Sequence, residues 1–574
     1  MNEHRQDDHC PAMVGEPAKP GDNAGEPALI EPEEVGPVSK RPQDDNSRAV
    51  TAESAMSDPW MPASSSKEYL SGREEEPLAA DFKDGIFALA AYILGFFFAR
   101  WVLFSWQGWG VTVFTLGYCA AVGIYLRKKG VNISRAGWFW LAVVMLTGIS
   151  FSLWTGNGLE PWRSLLLFCG AIYWILSATG LTMLGKTSSL IVLDGFNAMV
   201  AIPFRNIGFQ YKSLVVLGRH ERAKGSQVYP VLLGLILTIM VLAMVLPLLM
   251  QADSGGFYKI THGIFAYFHG LRQEVWKIVF HGILAVPIGA YLFGLVAGSA
   301  NQRGCDLFSK EGTLKAVSAW RILPPATVYT LLGLLCVLYM VFIVSQLPYF
   351  FSAFTGKRPE GWLVYSEYAR SGFFELCRIA AINLMVLIAA NVMGKKRCRE
   401  DATLKVLNVL LAILTMVLIA TALSKMIMYI GAYGLSMRRL LPCVFMLFMA
   451  AVCGGVIALQ KWQFSITRFA VGIGVAMLCT LCLADPDAFV VRYNADRYLA
   501  GTLTDFDVNI LYRSGPAGAD AALEVYAQTG DKVLQAELKK YLAVQYQEAS
   551  LSAGHAKDNL QTAWARQKIK DESL

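Results

Sequence analysis

The apolar runs of this chain decide what it can become. Eleven stretches of predominantly apolar residues fall at roughly 85–104, 109–126, 136–154, 164–184, 229–250, 278–298, 324–346, 372–393, 403–423, 440–460 and 466–484. A helix needs about 20 such residues to cross a hydrocarbon core of about 30 Å. In that solvent each backbone N–H and C=O must be bonded within its own segment, so runs of this length fold as helices. The expected fold class is all-α: a polytopic transmembrane helix bundle of about 11 spans. Charged residues make up 17% of the chain, against about 25% in soluble domains.

Charge placement sets the orientation. With the N-terminus inside, 19 Lys and Arg residues fall on inner loops and 9 on outer loops. Basic residues are retained on the cytoplasmic side, so the N-terminus is expected inside and, after an odd number of spans, the C-terminus outside. Residues 1–80 hold 17 acidic and 7 basic residues, a net of −10, which leaves +17 on the remainder of a chain whose total is +7. That basic excess lies on short loops between apolar runs, where it orients spans. The expected partner is therefore the lipid bilayer, with no nucleic acid.

The regions outside the spans read differently. Residues 1–84 form an acidic tail, and 10 of the 22 prolines precede residue 81. Such a segment cannot bury enough apolar surface to offset its ordering entropy and is expected to be disordered in the cytoplasm. Residues 85–484 form the bundle. Residues 485–574 are expected to form a small helical domain outside the membrane, with Leu534, Leu538, Tyr541 and Leu542 on one apolar face. The stretch Gly195–Gly208 reads as an interfacial segment on the inner leaflet, broken by Pro203.

Several patterns suggest chemistry and are set aside on physical grounds. Gly180 to Thr187 fits the phosphate-loop pattern, but these glycines close an apolar helix, so a C-terminus of the wrong dipole sign would face a phosphate; no nucleotide is expected. His262, His269 and His281, with Glu274, lack the compact ligand set of a zinc site, and no metal is expected. The eleven cysteines include no CxxC pair and read as small apolar fillers. Trp101, Trp106, Trp109, Trp138, Trp140, Trp154, Trp162 and Trp174 read as an aromatic belt at the span ends. Ala290, Gly294 and Gly298 form a small-residue ladder suited to a close helix contact, and Asn383 suits a helix–helix hydrogen bond. The spans carry no acidic residue near their centres, which argues against a proton-coupled transporter. Early outer loops poor in acids argue against a glycosyltransferase using lipid-linked donors.

One stretch stands apart from ordinary span sequence: Gln346 to Arg378, where aromatic and charged residues alternate. Glu367 and Arg370, and again Glu375 and Arg378, are spaced to pair on one helix. Arg100, near the outer end of the first span, lies at a depth where it could pair with Glu375. Glu367, Tyr368, Arg370, Glu375, Arg378 and Arg100 therefore form the candidate polar site at the outer membrane face. No catalytic residue and no cofactor are assigned.

These residues also carry a resemblance. Gln346-Leu347-Pro348-Tyr349 and the run from Tyr365 to Leu376 resemble the bacterial membrane family called domain of unknown function 4153, or its close relative 4173. Ile202-Pro203-Phe204-Arg205-Asn206, Arg492-Tyr493-Asn494 and Asp505-Phe506-Asp507-Val508 fit the same family. The resemblance implies a multi-pass protein of the bacterial cytoplasmic membrane, without a catalytic residue to carry over. The expected role is a non-enzymatic sensor, assembly or accessory component of the envelope, meeting a protein partner through residues 485–574 or the N-terminal tail. The alternatives are a solute or lipid transporter, or an envelope-facing transferase.

Overall fold

The computed structural model describes residues 80–183, 190–223, 269–303, most of 312–350, 365–395, 401–462 and 464–572, with scattered positions from 231 to 245. The acidic tail up to residue 79 and most of the expected 229–250 span lie outside the described residues, as do Cys10, Cys305, Cys398 and His262.

Among the described residues the chain is all helical, and ten helices are long and apolar enough to cross a membrane. Four come first: α1 (Phe82–Trp101), α2 (Trp109–Lys128), α3 (Arg135–Leu153) and α4 (Glu160–Thr179). Short α5 (Ile191–Phe196) and a π turn (Asn197–Ala201) lead into α6 (Ile202–Ala223). Then come α7 (His269–Ala300), α8 (Pro325–Phe350), α9 (Tyr365–Met393), α10 (Ala402–Tyr433), α11 (Met437–Leu459) and α12 (Ile466–Leu483). The chain is a multi-pass membrane protein.

Two apolar cores divide the bundle. One joins α1–α4, α6 and α7, with Trp174, Phe151 and Phe293 fully buried. The other joins α8–α11 around Leu332, Phe373, Leu387, Leu411 and Met446. Helix α12 packs against α3 and α4 on one side and α11 on the other, and so links them.

Local chemistry explains several joints. Gly180 adopts φ +72° and closes α4 as a left-handed cap; residues 184–187 of the phosphate-loop pattern lie outside the described residues. Pro203 does not break the segment before it. The π turn shifts the register, with Ile202 N–H bonding Asn197 O, so helix continues through a residue that has no N–H to give. The small-residue ladder of α7 meets α6 within the chain: a Cβ at Gly294 would sit 2.4 Å from Pro203 O, and one at Gly298 would sit 2.4 Å from Asn206 Nδ2. Asn383 accepts from Tyr339 Oη at 2.6 Å and donates to Thr415 Oγ1 at 3.0 Å, joining three helices. Trp140 of α3 and Trp174 of α4 depart from the belt reading: both are buried in the first core, Trp140 against Tyr173 of α4 with ring centroids 4.8 Å apart and Trp174 because the buried face of α4 wraps much of its circumference.

After α12 come α13 (Pro486–Leu499), α14 (Val508–Ser514), a 3-10 turn (Gly515–Gly518), α15 (Ala519–Gln528), α16 (Lys532–Ser552) and α17 (Leu560–Asp571). They share a core in which Leu534, Leu538, Tyr541 and Leu542 are all buried. We call this layer the cap. It sits on the bundle face where α1, α3, α10 and α12 end. Trp109 Nε1 donates to His555 O at 2.9 Å, and Asn559 Nδ2 to Thr155 Oγ1 at 3.2 Å. Asn494 of α13 clamps the α10–α11 turn from both sides, accepting from Leu435 N–H at 2.7 Å and donating to Leu435 O at 2.8 Å. That turn needs Gly434, at φ +75°, because a Cβ there would lie 2.6 Å from Asn494 Oδ1.

Candidate functional site

The sequence-expected polar site divides. Glu367, Tyr368 and Arg370 stand in the first turns of α9, and their side chains lie outside the described residues. Glu375 and Arg378 are exposed on α9, and no hydrogen bond or ion pair joins them. Glu375 instead lies within electrostatic range of Lys425 on α10, whose Nζ also crowds Gly372, 2.8 Å from where a Cβ would sit. Lys425 is thus a helix residue facing α9, where the sequence suggested an outer loop. Arg100 is on α1 in the other half of the bundle, exposed and close enough to His281 of α7 to act on it electrostatically. The Arg100–Glu375 pair is not formed, because α1 packs with α2, α6 and α7, whereas α9 packs with α10 and α11.

A different constellation stands at the cap junction. Arg163, in the first turn of α4, is 1% exposed. Its Nη1 donates to Trp154 O at 3.0 Å and its Nη2 to Thr155 O at 2.7 Å, while its guanidinium lies 3.9 Å over the Phe151 ring. One side chain therefore shapes the α3–α4 loop from beneath. The cap grips the same loop from above. Gln561 accepts from Thr155 N–H at 3.0 Å, and Asp487 Oδ2 accepts from Gly158 N–H at 3.0 Å. Gly158 is required by this close approach, since a Cβ there would meet Asp487 Oδ1 at 2.7 Å.

Asp485 and Asp487 flank Pro486, which occupies the first turn of α13. Asp485 holds a left-handed φ of +45° while capping α13 through Ala488 N–H and accepting from Gln561 Nε2. A non-glycine residue in that region stores about 1–3 kcal/mol of strain, held here by the cap. Asp487 is 1% exposed. Burial pushes its carboxyl up to about 6 and the nearby Asp485 adds to the rise, against the pull of the Gly158 N–H and of Arg163. Burial likewise raises Asp485.

Asp487 stands at the mouth of an open-sided cavity of about 1050 Å³ lined by α4, α9, α11, α12 and the cap, with Trp162, Phe374 and Phe445 exposed along it. Its body is apolar, with Phe374, Cys377, Phe445, Phe448, Met477 and Leu481 among its walls. Its mouth is polar: Asn157, Ser436, Arg438, Asp487, Arg513 and Ser514. Arg438 belongs to the first turn of α11 and Arg513 to the last turn of α14, so bundle and cap each supply one cation. Among the described residues neither guanidinium has a hydrogen-bond or ion-pair partner, and both are exposed. The first turn of α11 has no side-chain cap from Ser436; Arg439 and Leu440 N–H bond Ser436 O, and the positive end of the helix dipole lies at this end.

A second cavity, of about 690 Å³, lies among α1, α2, α4, α6 and α7. Among the described residues no charged side chain lines it. Its hydroxyl groups bond backbone carbonyls of the bundle: Thr115 Oγ1 donates to Val111 O at 2.8 Å, Tyr118 Oη to Ala171 O at 3.5 Å and Tyr291 Oη to Met199 O at 2.8 Å. Among the described residues no group of His, Cys, Asp and Glu is arranged to hold a metal ion.

Sequence reading missed Arg163, Arg438, Asp485, Asp487 and Arg513. One signal was present: Asp485-Pro486-Asp487 follows directly on the last apolar run, an acid–proline pair that marks a helix start. Nothing local links that motif to Arg163, more than 300 residues earlier. Asn494 of the Arg492-Tyr493-Asn494 run is the clamp on the α10–α11 turn, and Asn206 is the buried contact of the small-residue ladder.

No curated protein and no solved structure matches the chain. A family model described as Domain of unknown function (DUF4153) matches residues 118–525. The matched segment runs from within α2 to within α15 and takes in the cap-side cavity with both arginines of its mouth, and the chain belongs to the DUF4153 family.

Proposed function

We propose that this protein is a non-enzymatic component of the bacterial cytoplasmic membrane that binds a membrane amphiphile in the cavity beneath its cap, as a sensor or accessory protein of the envelope. The observation that carries the reading is the cavity itself. Its volume of about 1050 Å³ stands at the top of the range of about 300–1,000 Å³ for ligand sites. Its walls are apolar along the first half of α11 and the end of α12, with Phe374 and Cys377 of α9, and its polar groups gather at one end. A polar solute would lose its hydration along such walls without replacement, whereas an acyl chain would lose nothing. The bilayer supplies that ligand at high concentration.

In this reading the cap faces the envelope side. Arg127, Lys128, Lys129, Arg135, Arg303, Arg321 and Lys395 gather where α2, α7 and α9 end and α3 and α8 begin, on the face opposite the cap. That face is then cytoplasmic. The test is native mass spectrometry of the full chain purified in mild detergent, beside a Cys377→Trp variant that fills the cavity. One lipid-sized adduct per chain is expected on the wild type and little on the variant. Equal adducts on both, or none on either, would remove the reading.

A further inference from the structure

We infer that the amphiphile held in this cavity is an anionic, phosphate-bearing lipid, and that Arg438 and Arg513 together clamp its headgroup. The inference rests on the lipid-binding reading above and names the class of ligand. Three features of the mouth support it. Two guanidinium groups from separate elements open onto one cavity, and among the described residues neither has an anionic partner. Arginine presents a planar fork of donors matched to phosphate oxygens, and two such forks oppose the charge of a phosphodiester far better than a zwitterion, whose own cation would be repelled.

The acid at the mouth does not cancel them. Asp487 is turned toward Gly158, whose N–H it accepts, and is buried against the α3–α4 loop. It belongs to the joint between bundle and cap. Arg438 also stands at the positive end of the dipole of a 23-residue helix. Below this ring the walls pass at once to Phe374, Phe445 and Phe448, so a ligand satisfying both zones has a charged head and an apolar tail. A headgroup held between Arg438 on the bundle and Arg513 on the cap would also tie the two layers together.

The experiment uses the full-length protein in mild detergent, titrated with phosphatidylglycerol, phosphatidylcholine or inorganic phosphate and read by native mass spectrometry. The wild type and an Arg438→Ala/Arg513→Ala variant are compared. An Arg438→Lys/Arg513→Lys variant, which keeps the charges, controls for folding. Phosphatidylglycerol is expected to bind the wild type about tenfold or more tighter than phosphatidylcholine. The alanine variant is expected to lose that preference while still taking up phosphatidylcholine, and the lysine variant to keep most of it. Equal binding of the two lipids by the wild type, or an unchanged preference in the alanine variant, would overturn the anionic headgroup and leave the amphiphile reading standing. No binding of either lipid would overturn the amphiphile reading itself. Displacement of phosphatidylglycerol by equimolar inorganic phosphate would show that the mouth binds the free anion and would overturn the lipid assignment.

Discussion

One cavity of about 1050 Å³ opens under the cap between α9, α11 and α12; another of about 690 Å³ lies among α1, α2, α4, α6 and α7. Their walls are built from the same kinds of side chain. Their polar groups differ in kind. In the smaller cavity, Thr115 and Tyr291 spend their hydrogen bonds on backbone carbonyls of the bundle. In the larger one, Arg438 and Arg513 are exposed and, among the described residues, make no hydrogen bond or ion pair. Apolar volume alone is common between helices that carry bulky and small residues side by side. Exposed guanidinium groups beside such volume are free to meet an anionic group from outside the chain.

The difference can be broken or sharpened in order of size. The largest effect is expected at the joint that holds the charged mouth in place. Arg163→Met would strip the donors from three carbonyls and leave the α3–α4 loop without its inner support. A loss of about 3 kcal/mol or more is expected, with limited proteolysis cutting sooner between bundle and cap. Unchanged thermal unfolding would show that the cap alone shapes that loop.

Asp487→Asn comes next and carries a pH signature. The carboxyl is held at about 6 in the folded protein, above an ordinary value of 3.8, so the fold favours its protonated form. That contribution is fully present below about pH 4 and is lost as pH rises through about 6. Wild type is therefore expected to gain on acidification from pH 7 to pH 4.5, relative to the always-neutral variant, by at most about 3 kcal/mol. Thermal unfolding in detergent across that range reads the difference; parallel curves would mean the carboxyl is solvated.

Asn494→Ala removes both hydrogen bonds to Leu435 and is expected to cost about 2 kcal/mol, seen as a lower unfolding midpoint and faster hydrogen exchange at the α10–α11 turn. Tyr291→Phe, in the uncharged cavity, is expected to be the mildest, about 1 kcal/mol. It should leave lipid headgroup preference untouched; a changed preference would mean that the smaller cavity also reads the headgroup.

Much of the fold was legible without coordinates. Apolar length located ten of the eleven expected spans, and the eleventh lies largely outside the described residues. Leu534, Leu538, Tyr541 and Leu542 face one core because helical period is a local property. Asn383 bonds two neighbouring helices because an amide at that depth has few other partners. The site was much less legible. Glu375 and Arg378 satisfied a spacing rule, yet Glu375 faces Lys425 and Arg378 does not pair with it. Spacing along one helix states which side chains could meet, and the packing of α9 on α10 decided which charge was nearest.

The sequence by itself determined that this chain is a bundle of membrane helices with a helical segment after the last span, because the bilayer leaves backbone amides no other solution. Only the tertiary structure decided that Arg163, Asp485 and Asp487 meet at one joint, and that Arg438 and Arg513 open onto one cavity. Those residues come from the start of α4, the start of α11 and the cap. Contacts across such separations depend on which helices pack together, which neither period nor composition encodes.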